Sequence, residues 1–265
     1  MELFRRLFTA ALVAGVLSGT AASVVQQVTT VPLILEAEKY EVVTPPPVAA
    51  APAMVGPVAQ AAMAALAPAP SDHAHHQAAA PVREIGEGVP TTAEEAFQRL
   101  WTTVVANLLA GVGYALLIGG VMLLMGERVD ARRGLLWGLG GFVAFSLAPA
   151  YGLPPELPGM AGADLEARQL WWFAAAICAA GGLLAVAFSR IPIILAGGVL
   201  LAALPHLVGA PHAESAAGAV PPELAARFVA LSLGTAALFW AVLGSVCGMM
   251  MSRVVGSDDH GDDGF

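Results

Sequence analysis

LWTTVVANLLAGVGYALLIGGVMLLM, residues Leu100 to Met125, contains no charged side chain. The hydrocarbon core of a bilayer takes about 20 helical residues to cross, so this run is long enough to span it. Five more uncharged runs of comparable size follow the same rule: Leu7–Val28, Gly134–Tyr151, Leu170–Phe188, Ile191–Val208 and Phe228–Met251. Only His206 within the six carries a side chain that charges near neutrality. The pattern predicts an all-α fold, a polytopic transmembrane helical bundle of about six spans with one long outer loop. The fifth run is the weakest, because it is bounded by Arg190 and contains Pro192 and Pro205; without it the count is five.

Composition agrees with a chain dissolved in lipid. Of 265 residues, 57% are hydrophobic and 12% charged, against about 25% charged in ordinary soluble domains, and the mean hydropathy is +0.73. Lys39 is the only lysine. That excludes a Walker A phosphate loop, which needs Lys after a Gly-rich turn, and the scarcity of basic residues excludes a nucleic-acid surface. Cys178 and Cys247 both lie inside apolar runs, as small buried residues do. No Ser/His/Asp order and no pair of catalytic carboxylates stands out, so the chain reads as no enzyme.

Arg5 and Arg6 precede the first run, with small residues at Thr20 and Ala22, the pattern of a cleaved signal peptide. Apolar character resumes after Gln26 and Gln27 and continues to Leu35, which suits a membrane anchor spanning residues 1–28. Basic residues in short loops mark the cytoplasmic side. With the N-terminus inside, Arg5, Arg6, Arg128, Arg132, Arg133, Arg190 and Arg253 all fall on that side. Both termini are therefore expected to be cytoplasmic. The expected order is an outer loop over 29–99, a five-helix bundle over 100–252, and an acidic tail over 253–265.

The outer ends of the later spans echo one another. Pro154-Pro155-Glu156-Leu157 with Arg168 reappears as Pro221-Pro222-Glu223-Leu224 with Arg227, pairing a hairpin over 134–188 with one over 191–251. Pro32 and Arg99 form a fainter third copy. Gly134, Gly138 and Gly141, with Gly244 and Gly248, present small faces on which helices approach closely.

The outer loop is rich in Ala and Pro, with seven prolines between Pro45 and Pro70, and reads as an extended tether. It carries Asp72-His73-Ala74-His75-His76. Three imidazoles this close suit capture of a divalent transition metal, Co, Ni, Cu or Zn, but not a tetrahedral structural zinc site, which wants separated ligand pairs. An incidental His-rich patch is the plain alternative. His206, at a span end beside Pro205, is the more telling residue, because ionisable groups at membrane depth usually face an interior path; with His212 it reads as an outer gate, and otherwise as an interfacial histidine. Glu36 and Glu38 close the first apolar stretch, where their oxygens would relay a hydrated cation, or simply mark a helix end. Asn107 reads as an interhelical hydrogen bond. The tail Asp258-Asp259-His260-Gly261-Asp262-Asp263 reads as a short acidic end.

Gln26 through Glu38, Arg133-Gly134-Leu135-Leu136-Trp137-Gly138, Leu147-Ala148-Pro149 through Gly159-Met160, Ala167 through Trp172, Leu204 through Pro211 and Ala237-Leu238-Phe239-Trp240 together resemble the CbtA-type predicted cobalt transporter subunits over nearly the whole chain. The resemblance implies a bacterial inner-membrane protein tied to cobalamin metabolism and working with a small single-span, His-rich subunit of the CbtB type. It also implies Co2+ as a transported ion, with no permanently bound cofactor. Members commonly have a denser His and acidic cluster in the outer loop, and five spans are often ascribed to them. The chain is thus expected to move Co2+ inward, collecting it on His73, His75 and His76 and admitting it past His206, His212, Glu36 and Glu38. Nickel as the ion, or a non-transporting assembly or sensor subunit, remains open from the residues alone.

Overall fold

The computed structural model describes residues 2–41, 92–126, 130–213 and 220–256. Among these, the regular elements are helices: α1 (Glu2–Val28), α2 (Thr30–Glu41), α3 (Ala93–Met125), α4 (Ala131–Gly152), α5 (Leu165–Phe188), α6 (Pro192–Val208) and α7 (Pro222–Gly256). Five of them, α1, α3, α4, α5 and α7, are long and apolar enough to cross a membrane. The expected fifth span is the short one: α6 has 17 residues, roughly 25 Å at 1.5 Å per residue, the lower limit of what crosses a hydrocarbon core, and it packs along α5 to return the chain to the end where α7 begins. Proline explains its limits, since Pro192 opens the helix, Pro205 removes a donor near its end, and Gly209 turns the chain away at a φ of 93°.

Other boundaries follow from capping chemistry. Thr92 and Glu95 form a reciprocal capping box at the start of α3, and Gly126 closes it in the left-handed conformation. Asp130 accepts from the Arg133 amide at the start of α4, and Asp164 from the Ala167 amide at the start of α5. Inside α4, Val143–Leu147 form a π-turn. Such a turn inserts one residue into the helical ladder, and here the neighbours Phe145 and Ser146 both reach Trp240: Phe145 stacks on the indole at 5.7 Å, and the indole N–H donates to Ser146 Oγ at 3.1 Å.

The segment from Thr29 does not enter a loop directly. Only a break at Thr29 separates α1 from α2, a further 12 helical residues. Pro32, which has no N–H to give to the preceding turn, accounts for the break. Beyond it Leu33 and Ala37 are buried while Lys39 faces out. Leu33 and Ala37 pack with Leu157 and Phe228, and Leu224 joins the same cluster, so the leucines of the two Pro-Pro-Glu-Leu segments meet under α2.

The main core lies between α1, α3 and α7, where Ala10, Ala11, Ala14 and Ala22 meet Ala110, Ala115, Ile118 and Met122, and Ala236, Phe239, Trp240, Leu243 and Cys247. Alanine and glycine dominate because membrane helices, lacking a hydrophobic drive to associate, gain by close backbone approach. A Cβ at Gly15 would strike the backbone of Gly111 and Val112, and one at Gly244 that of Gly134 and Gly138. The glycine faces expected on α4 and α7 therefore pack against each other. Likewise Gly182 of α5 lies against Gly198 of α6. Helices of the two later hairpins thus exchange partners, α4 with α7 and α5 with α6. Arg5 and Arg6 of α1 line one surface cavity with Met250 of α7, so the first helix begins and the last ends at the same end of the bundle.

Candidate functional site

At the opposite end, two spans bring aromatic rings around His206 of α6. Its imidazole stands edge-on to Tyr151 of α4 at 5.4 Å and to Trp171 of α5 at 5.6 Å. The Trp171 indole donates to the Pro205 carbonyl at 3.2 Å, and the Gly209 amide donates to the same oxygen at 3.0 Å. This double use pins the last turn of α6 and fixes where His206 projects. Gly152 completes the corner, since a Cβ there would collide with the Trp171 ring. His206 Nδ1 is sealed from solvent and has no hydrogen-bond partner. A buried imidazole nitrogen without a partner is costly and is the group of this corner best suited to take a ligand.

The other expected site residues lie apart. His212 is exposed beyond the end of α6. Glu36 pairs with Lys39 at 2.6 Å, and Glu38 with Arg99 of α3. The Glu36 carboxylate holds the Lys39 ammonium above its ordinary pKa. Among the described residues, no three His, Cys, Asp or Glu side chains converge on one metal-sized point. His73, His75 and His76, like Asp72 and the acidic tail Asp258–Asp263, lie outside the described residues.

Two groups at this end escaped the sequence reading as partners. Glu156, on the connection between α4 and α5, binds Arg168 of α5 at 2.7 Å. Burial pushes the Glu156 carboxyl above the usual carboxylate range, and the Arg168 guanidinium pulls it part of the way back. Both residues stand in the repeated outer-end segments, but nothing in the repeat says that they pair. Deeper in the bundle, Asn107 makes the interhelical hydrogen bonds expected of it: Nδ2 donates to Ser23 Oγ at 3.0 Å and to Gln26 Oε1 at 2.7 Å.

A bundle of apolar helices packed on glycine faces, with a half-buried histidine at one end and a buried carboxamide layer inside, defines a multi-pass helical membrane protein with polar groups held inside the bundle. The chain belongs to the CbtA family, described as a probable cobalt transporter subunit, whose family model matches residues 4–252. No curated protein and no solved structure matches it.

Proposed function

We propose that this chain is the membrane subunit through which Co2+ enters a bacterial cell across the inner membrane, in support of cobalamin metabolism and together with a small single-span, His-rich partner of the CbtB type. In this reading both termini are cytoplasmic, as the arginine-rich loops require, and the loop histidines and His206 face outward. The observation that carries it is the unpartnered, buried Nδ1 of His206 at the α2 end of a family-matched bundle. Imidazole nitrogen suits Co2+ and Ni2+ alike, so the family sets the choice of cobalt. His73, His75 and His76 collect the ion on their tether, and His206 and His212 pass it inward.

Glu36 and Glu38 stand apart from His206 at the same end of the bundle, and in this reading the ion meets them on its way in. Their ion pairs are partly exposed, with side-chain accessibilities from 29% to 53%, and such pairs are worth no more than about 1 kcal/mol. An arriving dication displaces Lys39 or Arg99 at little cost. With no phosphate loop in the chain, the membrane potential is the simplest drive: two charges moving inward at about 100 mV gain roughly 4.6 kcal/mol.

A tethered collector only raises the local ion concentration. Replacing His73, His75 and His76 together with Ala is therefore expected to slow Co2+ uptake several-fold at limiting metal and to leave it unchanged at saturating metal. Radiolabelled uptake across a concentration series checks this. A deficit that persists at saturation contradicts the collecting role.

A further inference from the structure

The layer around Asn107 holds more polar capacity than it uses. Asn107 Oδ1, Gln26 Nε2 and Ser232 Oγ are each sealed from solvent and without a partner, on residues no more than 1% exposed. Exchanging the nitrogen and oxygen of both carboxamides leaves the same remainder, one donor and one acceptor. Helix register puts Ser232 at about the same level of the bundle. Leu7 and Cys247 flank Gly119 at one level. From there Ser23, Asn107 and Ser232 lie roughly 24, 18 and 22 Å along α1, α3 and α7, within about one helical turn of each other.

Adhesion alone does not explain these groups. The α1–α3 contact is already made by Gly15 and Gly19 against the backbone of α3, and Ala22 and Ala110 pack beside the layer. In hydrocarbon an unsatisfied polar group costs several kcal/mol, so a layer that keeps three of them open is held for something that fills them. We propose that Gln26, Asn107, Ser23 and Ser232 form a transit site for a hydrated divalent cation in the interior of the α1, α3 and α7 core. The inference rests on the transport reading and extends it inward from His206. The groups are neutral, which favours a water-coated ion over a stripped one: shell waters donate to Asn107 Oδ1 and Ser232 Oγ, and a bridging water accepts from Gln26 Nε2. Neutral ligands also hold the ion weakly enough to release it.

The test is equilibrium binding of radiolabelled Co2+ to the full chain in lipid nanodiscs, with His73, His75 and His76 replaced by Ala so that the loop contributes nothing. Asn107→Asp puts a negative charge beside the ion and is expected to tighten binding roughly tenfold, whereas Asn107→Leu weakens it. Ser232→Asp, on the facing helix, is expected to act as Asn107→Asp does and serves where that variant fails to accumulate. Affinity that neither carboxylate raises, in protein that elutes and melts like its parent, overturns the site. Uptake that stays intact in cells under that outcome leaves the transport function standing without it.

Discussion

Gly244→Leu is expected to abolish accumulation of the folded protein in the membrane. A side chain at this position meets the Gly134 carbonyl and the backbone of Gly138, so no rotamer relieves the collision and α4 must leave α7. The cost exceeds the roughly 1–3 kcal/mol of ordinary overpacking, because backbone, not a flexible side chain, has to move. Separation of α4 also strips Trp240 of its hydrogen bond to Ser146 and its stack on Phe145. Gly234→Leu on the same helix is the control, since nothing lies within 4 Å of its added Cβ; it is expected to accumulate at the parental level. Membrane-fraction immunoblots and size-exclusion profiles read both. Equal accumulation of the two variants contradicts the close α4–α7 contact.

His206→Ala is expected to lower Co2+ uptake roughly ten- to a hundredfold at every metal concentration, a loss at least as large as that of removing a group which merely orients a metal ligand. The replacement leaves the helix in place, because the Pro205 carbonyl keeps its bonds from Trp171 and Gly209. Membrane levels are therefore expected to match the parent. The contrast with the loop histidines is the informative part: a ligand on the path is needed for every ion that crosses, so excess metal does not rescue its loss. Full rescue by high Co2+ at matched expression makes His206 another collector or an interfacial residue.

How far such a site is legible from residues alone depends on the range over which the signal acts. The spans follow from run length, and the small faces at Gly134, Gly138, Gly244 and Gly248 follow from spacing. Asn107 as an interhelical hydrogen bond follows from the cost of a lone polar group in lipid. What spacing does not carry is which helix meets which. Ser23 and Gln26 lie 84 and 81 residues before Asn107, and the rings around His206 come from α4 and α5. The α2 helix was hidden because Pro32 and the charges Glu36, Glu38 and Lys39 look like the end of a span; only packing of Leu33 and Ala37 under the bundle end makes it a helix. Glu36 and Glu38 read as free ligands in the sequence, yet Lys39 is three residues from Glu36, within reach on a helix. Arg99, the partner of Glu38, required the fold. Similarly, the π-turn in α4 leaves no mark on apolar periodicity, since its residues Val143–Leu147 remain apolar apart from Ser146.

Inward cobalt movement is tested most directly by radiolabelled Co2+ uptake in cells with and without this gene, alone and with its single-span partner, at limiting external metal. The account predicts that deletion removes most uptake and that restoring the gene with its partner recovers it, while a membrane subunit that only assembles or senses leaves the rate unchanged. Uptake that is the same with and without the gene contradicts the transport role.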